Sequence, residues 1–300
     1  MKTPQPIPYQ GSKRALAPLI MNYFPEKVDR LIEPFAGSAA VSVAAAMRNK
    51  AKRFLINDIN SSLINLLDEI VNDPSGISEN YEKLWQEQLG NEKEFFLRIR
   101  DRFNKEKRND DFLYVMARCI KGAIRYNANG EFNQSADNRR KGKNPKNMKQ
   151  EIQLVSKYLK GKSEFTSFDF HDVFKMAQPE DLIYMDPPYQ GTCKNRDPRY
   201  FSGIEFDRFV RSLEYLNEKG VPYLISYDGK TGNKTYGNDL PSNLELHKIL
   251  IEVGRSTQST LLGNTDITYE ALYISNALIN KLSTDIPETV SLKPKQLELI

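Results

Sequence analysis

Arg30-Leu31-Ile32-Glu33-Pro34-Phe35-Ala36-Gly37-Ser38-Ala39-Ala40, continued by Val41 to Met47, is the stretch whose reading decides the fold. It reads as a strand, a tight turn of small residues and a helix. Gly37 and the small residues after it let a ligand come close to the backbone at the helix N-terminus. The spacing is not G-x-G-x-x-G, which disfavours a dinucleotide site. A second strand, Arg53-Phe54-Leu55-Ile56-Asn57-Asp58-Ile59-Asn60, ends in an acid some 20 residues beyond the glycine turn. In doubly wound folds an acid at that distance commonly bonds ribose hydroxyls. Strand, glycine turn, helix, strand, acid is a nucleoside-binding half-fold. Taken alone, Asp58 is equally well read as the cap of a helix over Ser61 to Val71.

The same alternation resumes late in the chain. Ser163 to Phe170 reads as a strand ending in Asp169 and Phe170, and Asp181 to Met185 as a buried strand running into Asp186-Pro187-Pro188-Tyr189. Two prolines forbid both a ladder donor and a helical turn. The chain therefore leaves the sheet as a stiff loop with a carboxylate at its start and a ring at its end. The carboxylate of Asp186 and the carbonyl of Pro187 can each accept one N–H of an exocyclic amine, while Tyr189 stacks on the base. A strand-end acid followed by a proline turn is the plainer alternative. Gln190 to Ser202 then reads as a polar loop long enough to be a lid, Phe206 to Lys219 as an amphipathic helix, and Val221 to Tyr227 as a strand. Leu244 to Val253 and Tyr269 to Ser275 form a last pair around the loop Gly254 to Thr268.

Between the two halves the period changes to helical, over Asn80 to Arg102 and Asp111 to Ala123. Arg125-Tyr126-Asn127-Ala128-Asn129-Gly130-Glu131-Phe132-Asn133 carries an Asn-Gly turn between short β-prone pieces. A structure-poor basic run, Asn138 to Lys146, follows, and a helix over Met148 to Leu159 returns to the body. From Arg118 to Lys162 there are twelve Lys/Arg against three acids, a local net of +9 in a chain of net +4, so the remainder carries −5. A basic insert on an acidic body points to a polyanionic partner. The opening Pro6 to Arg14 reads as a Pro/Gly loop with Tyr9 and two cations before a helix near Ala15 to Tyr23.

Hydrophobic residues make up 39% and charged residues 27%, ordinary for a globular protein with a real core. No run reaches the roughly 18 apolar residues of a membrane span. The start lacks the apolar segment of a signal peptide. Cys119 and Cys193 build no disulfide framework, and His171 and His247 form no metal cluster with them. A reducing cytoplasm is the expected setting.

Several of these pieces together resemble one family. Pro8-Tyr9-Gln10-Gly11-Ser12-Lys13, Glu33-Pro34-Phe35-Ala36-Gly37-Ser38, Asn57-Asp58-Ile59-Asn60, Arg125-Tyr126-Asn127 with Gly130-Glu131-Phe132-Asn133, and Asp186-Pro187-Pro188-Tyr189 are similar to motifs of the Dam-like (D12, alpha-group) DNA adenine-N6 methyltransferases. Arg255-Ser256-Thr257 and Tyr269 to Tyr273 are similar too, and the motifs follow the family order over residues 6 to 276.

The resemblance implies a Rossmann-like α/β methyltransferase with a mixed, mostly parallel seven-strand sheet. It implies a discontinuous catalytic domain over 1–71 and 163–280, a helical target-recognition insert over 72–162 and a peripheral tail over 281–300. It further implies S-adenosylmethionine as methyl donor, S-adenosylhomocysteine as product, no metal, and double-stranded DNA as substrate. Tyr9, Lys13, Phe35, Ala36, Gly37, Ser38, Asp58, Asp169, Phe170 and Asp186 are then expected at the cofactor. Asp186, Pro187, Pro188 and Tyr189 are expected at the reacting adenine. Lys13, Arg125, Tyr126, Asn127, Asn129, Arg139, Arg140, Lys141 and Lys143 are expected at the DNA. The family often has a second glycine within the turn that here reads Ala36-Gly37-Ser38-Ala39. Prokaryotic or phage origin, a monomer, and a role in restriction protection or Dam-like marking, with or without a paired endonuclease, complete the expectation. Methylation of cytosine N4 or of RNA, and a binding module without turnover, are the rival readings.

Overall fold

The apolar runs on both sides of the glycine turn become β1 (Val28–Glu33) and β2 (Ala51–Asn57), which pair in parallel with Leu31 opposite Phe54. The computed structural model describes residues 2–188, 205–231, 234–236, 239–255, 267–282 and 286–291. Tyr189, Cys193, the 190–202 loop, Ser256, Thr257 and most of the tail lie outside them, as does the side chain of Arg255.

The other strands, in chain order, are β3 (Ser163–Thr166), β4 (Leu182–Met185), β5 (Tyr223–Thr231), β6 (Lys234–Tyr236), β7 (His247–Arg255), β8 (Ile267–Ile274) and β9 (Thr289–Ser291). Their order across the sheet is β3-β2-β1-β4-β5-β8-β7-β9, with β6 paired to β5. The seven expected strands are present, and the three-residue β6 and β9 extend them. Pairings from β3 across to β5 are parallel, whereas β8 runs antiparallel to both β5 and β7. The chain steps outward from β1 through β2 to β3, then returns to place β4 on the other side of β1. That reversal opens a crevice at the carboxyl ends of β1 and β4, where open α/β sheets take their ligands.

Strand alternation divides the core. Leu31, Phe54, Ile56 and Tyr184 face one apolar cluster, which also holds the helices α2 (Ala40–Met47) and α3 (Ser61–Asn72). Ile32, Leu55, Ile183 and Met185 face the other, with Phe174 and Phe209 from two helices over Phe170–Met176 and Phe206–Glu218. The first cluster runs on without a break into the insert helices α4 (Pro74–Glu87), α5 (Glu92–Glu106), α6 (Asn109–Arg118) and α7 (Pro145–Leu159).

Boundaries differ from the sequence reading where turn chemistry intervenes. The helical period over Asn80 to Arg102 is cut at Gly90, whose φ of +90° ends one helix and admits the next. The strand expected over Ser163 to Phe170 stops at Thr166, because Asp169 caps the following helix through the His171 N–H. The helix near Ala15 to Tyr23 is a 3-10 turn, the four-residue helix α1 (Ala17–Ile20) with Pro18 at its start, and a second 3-10 turn.

Candidate active site and nucleic-acid interface

At the end of β1 the chain turns through Phe35-Ala36-Gly37-Ser38-Ala39 before α2 begins. The Ala36 N–H donates to the Asn57 carbonyl (2.8 Å), which ties the turn to the end of β2. Gly37 has φ +50° and lies under the Tyr9 ring: an added Cβ would stand 2.8 Å from Tyr9 Cε1. Only glycine admits that contact. Ala39 is also left-handed, at φ 52°, so alanine here adopts a conformation that glycine tolerates at less cost. Asp58 closes the turn, accepting the Gly37 N–H (2.9 Å) and the Asn60 N–H (3.0 Å). Burial pushes its carboxyl upward in pKa, and those two donors pull it back.

Asn57, quoted in a motif but given no role by the sequence, clamps three exits. Its side-chain N–H groups reach the carbonyls of Pro34 and Phe168, and its oxygen accepts from Thr166 Oγ1 and the Phe168 N–H. Beyond β4, Asp186 meets Lys13 Nζ at 3.1 Å, and the same ammonium lies 3.3 Å from Glu270 of β8. Burial raises the Asp186 carboxyl to about 6, with Lys13 lowering it and Glu270 raising it. Glu33, buried at the end of β1, is raised to about 7 by burial, although it accepts the Ser42 N–H (2.8 Å) in the first turn of α2. Tyr9, Lys13, Glu33, Phe35, Gly37, Asp58, Asp169 and Asp186 all line one cavity, together with Pro187 and Pro188.

The apolar wall of that cavity was partly hidden from sequence reasoning. Phe170 is buried and lines the cavity, its ring 5.5 Å from Phe35 and 5.9 Å from Phe209. Ile59 and Phe168 line the cavity and are 45% and 49% exposed, unusually open for large apolar side chains, and they offer flat contact to a planar ring. Asp169 is gripped by both guanidinium nitrogens of Arg208, which also lies 4.9 Å over the Phe170 ring. Burial pushes the Asp169 carboxyl up, but the bonds from Arg208 and the His171 N–H leave it below its ordinary value.

The insert reaches the same cavity. Tyr126 pairs across a one-bridge hairpin with Phe132, and its hydroxyl meets the Asn60 side chain (3.1 Å). Asn127 is tied into its own turn, its oxygen accepting from the Asn129 and Glu131 N–H groups and its amide donating to the Glu131 carboxylate. Arg125 and Asn129 are exposed at the hairpin. The basic run is fixed from below although it contains no strand or helix before Pro145: Gln88 donates to the Lys141 carbonyl, Tyr81 to the Lys143 carbonyl and Arg118 to the Asp137 carbonyl. Arg139 and Arg140 stand out from it, both within ion-pair reach of Asp137. Lys141 pairs with Glu92 at 2.9 Å, and Lys143 is folded onto Glu151 and the Gln5 carbonyl.

The opening loop joins these parts. The Gln10 N–H donates to the Gly122 carbonyl (3.0 Å), and Gly122 is so close to Pro8 that a Cβ would stand 2.7 Å from the Pro8 carbonyl carbon. Among the described residues no group of three or more His, Cys, Asp or Glu could hold a metal ion, and no helix is long and apolar enough to cross a membrane.

Residues 9–255 match the model of the D12 class of N6 adenine-specific DNA methyltransferases. The chain is 31% identical over 231 residues to a DNA N-6-adenine-methyltransferase of Escherichia phage P1, a match that covers 74% of this chain and 29% of the phage protein. It is 29% identical over 256 residues to the type II methyltransferase M1.LlaDCHI of Lactococcus lactis subsp. cremoris, covering 80% and 85%. It is 30% identical over 234 residues to the retron Ec67 DNA adenine methylase of Escherichia coli, covering 73% and 75%.

Proposed function

Since the chain belongs to the D12 class of N6 adenine-specific DNA methyltransferases, we propose that it methylates N6 of an adenine flipped out of a short duplex sequence, with Asp186 receiving the amine. The observation that carries this reading is that Asp186, the Gly37 turn and Asp58 line a single cavity.

The residues present fit S-adenosylmethionine, whose use the family implies. Asp58 stands where ribose hydroxyls would be bonded, and Ile59 and Phe168 offer apolar faces for its adenine, with Asp169 and Phe170 beside them. Tyr9, Lys13, Phe35, Ala36, Gly37 and Ser38 form the wall toward its methionine end, near the carboxylate of Asp186. When bound, it supplies an electrophilic methyl group on a positively charged sulfur. The chain's own work is to present the amine. The N6 lone pair of adenine is delocalised into the ring, so the amine is a poor nucleophile. Asp186 and the Pro187 carbonyl accept hydrogen bonds from the two N6 hydrogens and draw the lone pair out of conjugation, toward tetrahedral geometry. An ionised carboxylate is acceptor-only, and a pKa of about 6 keeps Asp186 mostly ionised at neutral pH. Tyr189 stacks on the base. Positioning of this kind supplies up to ~7–11 kcal/mol, set against a few kcal/mol for flipping and aided by ~1–3 kcal/mol of stacking.

The insert reads the duplex. Arg125 and Asn129 project from the hairpin toward bases, with Tyr126 and Asn127 setting its shape, and Lys13 lies between cofactor and DNA. Arg139 and Arg140 take phosphates, and Lys141 and Lys143 hold the run beneath them. Pairing with a restriction endonuclease, suggested by the type II names of relatives, a monomeric state and a cytoplasmic setting belong to the same reading. The test is single-molecule sequencing of DNA from a methylation-free host that expresses the protein. Methyladenine at one short motif is expected, and it should vanish with Asp186→Ala; methylation unaffected by that change would refute the assignment of Asp186.

A further inference from the structure

Lys13 is 7% exposed and stands between two carboxylates, Asp186 at 3.1 Å and Glu270 at 3.3 Å. The first belongs to the proposed chemistry, whereas the second comes from β8, on the antiparallel side of the sheet, and is 29% exposed. Glu270 shares the face of β8 that carries Leu272 and Ile274, and the neighbouring strand is irregular beside it. The register of β5 and β8 slips between Ser226, opposite Leu272, and Gly229, opposite Glu270, which puts an extra residue on β5. Gly229 permits the close crossing, since a Cβ there would lie 2.6 Å from the Tyr269 carbonyl oxygen. Bulges of this kind are over-represented next to active sites.

The pairing solves a problem that a single ion pair would create. A target amine must take hydrogen-bonding capacity from Asp186, and a buried ammonium that loses its only anion is strongly destabilised. A second carboxylate removes that penalty, because Lys13 keeps a counter-charge throughout. We propose that Glu270 is a positioning residue for methyl transfer: it holds the Lys13 ammonium so that Asp186 can turn to the N6 hydrogens. This rests on the assignment of Asp186 to the amine. Glu270 touches neither base nor methyl donor in this role, and it acts through Lys13. Among the described residues, the groups that bear on Asp186 are Lys13, Glu33, Tyr184 and Glu270.

The experiment compares wild type, Glu270→Gln, Lys13→Met and the double variant. Each is assayed in single turnover on unmethylated plasmid DNA with labelled S-adenosylmethionine, from about pH 5 to 9, alongside thermal melts. Glu270→Gln should slow transfer at least ~10-fold, within the ~100-fold that an ångström of misplacement costs. Its acid limb should move to lower pH, because a negative neighbour of Asp186 is gone. The double variant should be no slower than Lys13→Met, since Glu270 has nothing left to hold. Glu270→Asp, which restores the charge one methylene further back, should return the acid limb toward its wild-type position, and this variant decides the matter if the glutamine protein melts early. Wild-type rate and limb in Glu270→Gln, or losses that multiply in the double variant, would overturn the proposal. Wild-type protein without methyl transfer would instead overturn the reading of Asp186 beneath it.

Discussion

Replacing Glu33 by glutamine should make the protein more stable at neutral pH, and the size of the gain follows from its surroundings. Glu33 is 3% exposed and accepts the Ser42 N–H at 2.8 Å. Burial carries its carboxyl from 4.5 to about 7, so the folded protein holds a proton that the unfolded chain has released. For a raised pKa the sign is fixed. The stability that the protonated group contributes is complete below about pH 4.5 and is lost as pH rises through about 7. At ~1.4 kcal/mol per pKa unit the loss amounts to about 3 kcal/mol by pH 8. A glutamine amide in its place would be neutral at every pH, and its oxygen would still accept from Ser42. Thermal melts from about pH 5 to 8 should show wild type losing Tm relative to Glu33→Gln across that window, by roughly 5–10 °C at ~2–4 °C per kcal/mol. Parallel curves for the two proteins would refute the claim that Glu33 is protonated in the folded state.

Other outcomes follow from the same geometry. The wild-type rate of methylation, followed as kcat/KM for DNA, should fall about tenfold per pH unit below about 6, where Asp186 takes up its proton; a rate still flat at pH 5 would contradict this. Arg139→Ala with Arg140→Ala should cut the slope of log binding constant against log salt by about 2, at ~0.9 per phosphate, and titration of DNA binding at several salt concentrations reads it directly. Gly122→Ala adds a Cβ 2.7 Å from the Pro8 backbone at a φ of +60°, and should cost ~1–3 kcal/mol in a denaturant melt. Asp58→Ala should weaken S-adenosylmethionine binding in calorimetry while leaving DNA binding at low salt nearly intact.

The fold could be read early because its signals are local. The apolar run of β1, the small residues of the Phe35 to Ala39 turn and the proline pair after Asp186 each dictate backbone geometry within a few residues. Most of the cavity wall was legible for the same reason. What escaped depends on pairings between distant segments. Nothing near Glu270 says that it meets Lys13, and nothing near Arg208 says that it grips Asp169. Side-chain direction escaped as well. Asn127 belongs to a motif suited to reading bases, but its amide is occupied in its own turn, and Phe168, which no motif singled out, lines the cavity beside Phe170. The basic run looked structureless because its order comes from Tyr81, Gln88 and Arg118, which bond its carbonyls from other helices.

The joint between Pro8 and Gly122 bears on how new specificities could be engineered. The insert proposed to read the duplex, over 72–162, invites treatment as an exchangeable cassette. Yet the opening loop rests on Gly122 through the Gln10 N–H, and the same loop carries Tyr9 onto Gly37 and Lys13 onto Asp186. A transplanted insert would arrive with a foreign seat for that loop, and catalysis would suffer even where the new sequence was read correctly. Grafts that move residues 6–14 together with the insert should keep their turnover.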